Sequence, residues 1–202
     1  MKLYFSAGAC SLSPHIVLLE AGLPFTLEKV DLRSKLTAGG QDFRAINSKG
    51  YVPALETDSG AILTEGPSIV QYLADRAPEK LLAPPNGTIE RYQMMAWLNF
   101  IGTEIHKNYG PLFKPDSGEE LRSYALSNLS QRYAYVDQML EGRDYLGGER
   151  FSVADVYLFV VTNWAGHLKF DLSAWPNVMA FQKRIAARPA VQQALRAEGL
   201  ID

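Results

Sequence analysis

The chain is 202 residues long, 47% hydrophobic and 11% aromatic, with 20 basic against 22 acidic residues and a formal charge of −2. This composition suits a soluble globular protein of one large or two small domains, and interspersed charges without a basic stripe exclude nucleic acid as an expected partner. The longest apolar run, "VYLFVV" (156–161), is far too short for a membrane span, and the single cysteine, Cys10, excludes an intrachain disulfide and fits a reducing, cytoplasmic compartment.

"KLYF" (2–5) predicts a short buried strand, bounded by Ser6, Ala7 and Gly8. From Leu12 to Ala21 the apolar residues Leu12, Ile16, Val17 and Leu19 follow helical spacing, and Gly22 is placed to end that helix. "FTLEKVDL" alternates as a second strand, so the start is a βαβ unit with parallel outer strands. "VPALET" and "AILT" flank Asp58-Ser59-Gly60 and predict an antiparallel hairpin; "EGPSIVQYLADRA" predicts a helix with Pro67 in its first turn.

The proline-rich segment "APEKLLAPPNGT" (77–88) reads as an interdomain linker, and everything after it is helical in pattern. Helices are expected over 89–109, 119–140, from Ser152, from Pro176 to about Arg188, and after Pro189. "SVAD" (152–155) is a capping-box start, with Asp155 in place of the usual Glu or Gln beside Ser152. The expected organisation is an α/β thioredoxin-like domain over 1–77 (βαβ-ββα, mixed sheet), a linker over 78–87, and an all-α helical bundle domain over 88–202.

Four features could carry chemistry. Cys10 lies where the first strand meets the first helix, a place whose N–H groups favour an anion and would lower a thiol's pKa. Ser13 stands where a thioredoxin has its second cysteine, so internal disulfide cycling is excluded. In this plan Pro53 would take a cis bond and turn the backbone of Val52 toward an extended peptide. Glu65 and Gly66 open another helix and could hold the ammonium and carboxylate of an amino-acid head group. On "WLNFIGTEIHKNYG" (97–110), Asn99, Thr103 and His106 share one helical face. A polar face is most often only the solvated side, although Asn and Thr are mediocre helix formers for one. His15 reads as structural and His167 as a helix-end residue. No histidines or carboxylates have metal-ligand spacing, so neither a metal nor a prosthetic group is expected.

Together these segments resemble the cytosolic glutathione S-transferases, most closely the bacterial beta class. The resemblance runs from "MKLYFSAGACSLSPH" through "GYVPALE", "LTEGPSIVQYLAD", "WLNFIGTEIHK" and "FSVADVYLF" to "RPAVQQALRAEGLI". It implies glutathione as co-substrate, extended between domains, with its sulfur beside Cys10, its backbone on Val52, its γ-glutamyl end on Glu65 and Gly66, and its glycyl carboxylate near Lys35. Asn99, Thr103, Glu104, Ile105, His106 and Lys107 would close the site, with Thr103 and Glu104 reaching a partner subunit's ligand. Cys10 and His106 are the implied catalytic residues. Three departures stand out: Phe5 for a tyrosine, Ala7 for a proline, and Gly66 for the serine of many classes.

The resemblance implies transfer of glutathione to a small apolar electrophile, xenobiotic or from aromatic degradation. The alternatives are a monothiol, glutathione-dependent thiol–disulfide reductase acting through Cys10, and a non-catalytic ligand carrier. A homodimer is expected because Met94, Met95, Trp97 and Phe100 crowd one helix with more apolar surface than a single domain buries.

Overall fold

The computed structural model describes all 202 residues, which fall into two compact units: Met1–Ala83 with Arg188–Asp202, and Pro84–Ala187. The first runs β1 (Lys2–Phe5), α1 (Leu12–Ala21), β2 (Thr26–Lys29), a 3-10 turn (Phe43–Ala45), β3 (Ala54–Glu56), β4 (Ile62–Thr64), α2 (Gly66–Arg76) and a second 3-10 turn (Pro78–Lys80). Its sheet has the order β2-β1-β3-β4, with β1 parallel to β2 and antiparallel to β3, and β3 antiparallel to β4. This is the mixed, thioredoxin-like sheet that the βαβ-ββα order predicts.

Leu3, Tyr4 and Phe5 are all buried, because a central strand covered on both faces reads as a continuous apolar run rather than an alternation. One side of the sheet is closed by Tyr4, Val30, Phe43, Val52 and Ala54. Helix α1 ends where Gly22 adopts φ 66 and donates its N–H to the last carbonyls, a left-handed cap that favours glycine. Its Ile16, Val17 and Leu18 are all fully buried. One apolar face would not need this; α1 is covered both by α2 and by the last helix, α8 (Pro189–Ala197).

Residues 188–202 thus pack with the first unit, whereas the expected partition set them with the helices of 88–202. The Arg188 guanidinium donates to both carboxylate oxygens of Glu20 at 2.7 and 3.0 Å. His15 Nδ1 lies 2.8 Å from Glu198 Oε1, in a pair almost wholly removed from solvent. A helical pattern shows that a segment is helical, but not that it returns to the first unit.

The second unit runs α3 (Ile89–Phe100), a π-helical segment (Ile101–His106), α4 (Lys107–Phe113), α5 (Glu119–Met139), α6 (Val153–His167) and α7 (Pro176–Ala186). Helix α6 is its centre, with Val153 to Thr162 buried throughout. Both halves of the expected capping box are present. Ser152 Oγ accepts from Ala154 N–H at 3.3 Å, and Asp155 Oδ2 accepts from Ser152 N–H at 2.8 Å. Tyr133 joins three helices, its hydroxyl 2.8 Å from that of Tyr109 and 3.2 Å from Thr162 Oγ1. No helix is long and apolar enough to cross a membrane.

The crowded apolar residues of α3 divide. Met94 belongs to the core, and Trp97 and Phe100 pack on Tyr135 with ring centroids 5.9 and 5.3 Å away. Ile89, Tyr92 and Met95 remain exposed along one side of the helix.

Candidate functional site

In the first unit, the turn between β1 and α1 is held by its own backbone and by the chain's end. Ser11 Oγ accepts from Ser6 N–H at 3.1 Å and donates to Ser6 O at 3.2 Å, and Ala9 N–H donates to the same carbonyl at 3.0 Å. Gly8, at φ 70, donates its N–H to Glu198 Oε2 at 2.9 Å. A side chain at this backbone angle would be strained, and its Cβ would meet Leu200 Cδ2 at 3.4 Å. Cys10 is thereby fixed two residues before α1 begins, with Ser11 as the cap between them.

The Cys10 thiol donates to Val52 O at 3.4 Å, and the Val52–Pro53 peptide is cis, as the thioredoxin-like plan implies. The helix start expected to lower the Cys10 thiol is opposed by burial. Burial pushes its thiol up to about 12, and the charge of Glu65 adds to the rise, against the lowering effect of the Cys10 and Ser11 N–H groups. A helix start favours an anion by only about 0.3–1 kcal/mol. Removing an ion from water costs on the order of several kcal/mol, so burial wins.

Burial thus favours Cys10 in the unliganded protein as a protonated hydrogen-bond donor to Val52 O. Iodoacetamide at pH 7 should alkylate it far more slowly than free cysteine, with the rate rising about tenfold per pH unit up to pH 10. A rate matching that of free cysteine at pH 7 would contradict this assignment. The glutathione adduct that a reactive thiolate would accumulate is not expected either.

Glu65 lies between β4 and α2 at φ 68, and its carbonyl accepts from Ser68 and Ile69 N–H, each at 3.0 Å. Pro67 has no N–H, which leaves Gly66 as the donor at the start of α2. A Cβ on Gly66 would sit 3.9 Å from Pro53 Cγ, an ordinary contact, so the fold itself does not demand glycine there. The Glu65 carboxylate is paired with the Lys49 ammonium, which also donates to Thr64 Oγ1 at 2.9 Å. Lys35 is half-buried, and its stem runs beside Gly50, whose Cβ would lie 3.7 Å from Lys35 Cδ.

The candidate residues of the second unit do not share a single face. The π-helical segment lengthens the turn between Asn99 and His106. Asn99, Thr103 and Lys107 are exposed, whereas His106 turns inward: its Nδ1 lies 2.7 Å from Tyr157 OH and its ring 4.8 Å from that of Trp164. Thr103 Oγ1 donates to Asn99 O at 3.0 Å, and Glu104 accepts from Arg132 Nε at 2.7 Å. Ile105 is fully buried, so only its backbone is on offer to a ligand.

Lys49, Glu198 and Tyr157 are absent from the expected site. The register Ala54↔Thr64 could have revealed Lys49, because it sets the residues before β3 beside those after β4. Glu198 and Tyr157 left no local signal.

Two family models match: residues 7–76 match the glutathione S-transferase N-terminal domain and residues 100–189 the C-terminal domain. Glutathione S-transferase GstA of Escherichia coli O157:H7 is 47% identical over 200 residues, 99% of this chain and 100% of the relative. A sphingomonad glutathione S-transferase complexed with glutathione superposes with TM-score 0.96 at 46% identity, covering 100% of both chains. The beta-class enzyme of Sphingomonas chungbukensis gives 0.97 at 47%, again over 100% of both.

Proposed function

This chain belongs to the glutathione S-transferase family, in its beta class, and we propose that it joins glutathione to small apolar electrophiles. The observation that carries the reading is the convergence, within one unit, of the Cys10 thiol on the Val52 carbonyl, with Glu65 and Gly66 opening the next helix. An extended tripeptide pairs its backbone with Val52 and sets its γ-glutamyl head on Glu65 and Gly66. Lys35 meets its glycyl carboxylate. Asn99, Thr103, Glu104, the Ile105 backbone, His106 and Lys107 complete the ligand's contacts.

Cys10 enters as a donor, not a nucleophile. A thiol that holds its proton can donate to the glutathione sulfur and stabilise it as thiolate, with His106 as the group that takes the proton. The thiolate then forms the carbon–sulfur bond, and the displaced electron pair leaves with a halide, or stays on an opened epoxide oxygen or an enolate, which takes a proton. A thiol–disulfide reductase would need Cys10 itself as thiolate, which its burial opposes.

The exposed Ile89, Tyr92 and Met95 support a homodimer; a 22.4 kDa monomer in sedimentation at micromolar concentration would reject that part. The compartment is read as cytoplasmic, tested by fractionation of cells. The activity itself is tested with glutathione and a panel of aryl halides, epoxides and enones. Thioether should form in proportion to enzyme with at least one class. Tight dye binding without product from any class would make the protein a carrier.

A further inference from the structure

We propose that Lys49 is an internal competitor for Glu65, a cation that a ligand's ammonium must displace and that thereby sets the affinity and selectivity of the γ-glutamyl subsite. The proposal rests on the assignment of Glu65 to the γ-glutamyl ammonium made above.

Lys49 gives its ammonium the surroundings that an amino-acid ammonium would seek. It donates to the Glu65 carboxylate and to Thr64 Oγ1, and it stands 5.7 Å from the centre of the Tyr51 ring. Glu65 does not need Lys49 to hold its place. Its backbone is fixed by the bonds from Ser68 and Ile69 N–H to its carbonyl and by the pairing of β3 with β4 just before it. The side chains of Lys49 and Glu65 are 39% and 54% exposed, so water screens the pair and little energy opposes its exchange. A lysine ammonium on a flexible four-carbon stem can swing away without moving the backbone.

Displacement nevertheless has two costs for the incoming ligand. One ion pair is broken for each that is made, and the released Lys49 ammonium stays close to the ligand's own positive charge. A peptide without an ammonium meets neither cost and leaves Lys49 on Glu65. Lys49 therefore narrows the margin by which the site prefers the natural γ-glutamyl group.

The test measures binding of glutathione and of its des-amino analogue, in which hydrogen replaces the γ-glutamyl ammonium, to wild type, Lys49→Met, Glu65→Gln and the double variant. Lys49→Met should tighten glutathione about two- to fivefold, the range of an exposed ion pair, and leave the analogue no tighter than before. In the Glu65→Gln background the same substitution should do nothing. Weaker glutathione binding by Lys49→Met would make Lys49 a ligand of the peptide's carboxylates and overturn the proposal, as would equal tightening of both peptides. If Glu65→Gln fails to weaken glutathione relative to the analogue, the assignment beneath the proposal falls with it. Loss in Glu65→Gln with no gain in Lys49→Met refutes the competitor alone.

Discussion

Replacing Asp155 by alanine is expected to cost about 3–5 kcal/mol of stability, the largest effect of any single polar substitution in the helical unit. Asp155 has no exposed surface, and its carboxylate accepts from Leu146 N–H, Ser152 N–H and Ser152 Oγ, each at 2.8 Å. Alanine leaves these donors without an acceptor, at about 1–3 kcal/mol for each buried group left unpaired, though not additively. It also frees the start of α6, around which the unit is packed. The melting temperature should fall by on the order of 10 °C.

The pH dependence of this penalty has a definite sign. Burial pushes the Asp155 carboxyl up to about 6, against the lowering effect of its hydrogen bonds. The unfolded chain has an ordinary aspartate near 3.9, so between about pH 4 and 6 the folded state holds the proton more tightly. The stability contributed by Asp155 thus declines as pH rises through that window and is level above it. Urea unfolding should show a greater penalty for Asp155→Ala at pH 4 than at pH 7. A greater penalty at pH 7 would mean that the three donors outweigh burial and hold the carboxylate ionised.

Glu65→Gln should raise the glutathione concentration needed for half-maximal turnover by ten- to a hundredfold, with little change in turnover at saturation. Losing a charged hydrogen bond costs ~1.5–3 kcal/mol, and an interaction made equally in ground and transition states appears in KM alone. His106→Ala should do the reverse, lowering turnover while the glutathione requirement holds, since the imidazole is assigned to the sulfur. Its ring is already fixed by Tyr157 OH at 2.7 Å and by Trp164, as a group with a directional task requires. Both variants affecting binding alike would refute this division of labour. The two substitutions separate the residue that holds the peptide from the one that handles its proton.

Features set by local chemistry were legible in the sequence. The strand over 2–5, the helix over 12–21 with its Gly22 cap, and the Ser152–Asp155 capping box all depend on neighbours a few residues away. Long-range contacts were not legible. Cys10 at a helix start reads as an activated thiol until the Val52 carbonyl and the surrounding burial are known, and those lie forty residues away in sequence. The inward turn of His106 depends on a π-helical segment that no periodicity announces, and on Tyr157 in a different helix. Lys49 has no local signal because its partner, Glu65, lies across a hairpin.

The proposed function requires that the protein lower the pKa of the thiol of bound glutathione. It is tested most directly by following the ultraviolet thiolate absorption of the wild-type protein with and without saturating glutathione, from pH 5 to pH 10. Burial pushes Cys10 up to about 12, so the protein alone should show almost no thiol ionisation over this range, and the added signal belongs to glutathione. A transition at least one unit below the ~8.5 of a free cysteine thiol is expected, shifted upward in His106→Ala. Bound glutathione that ionises at the same pH as glutathione in solution would contradict it.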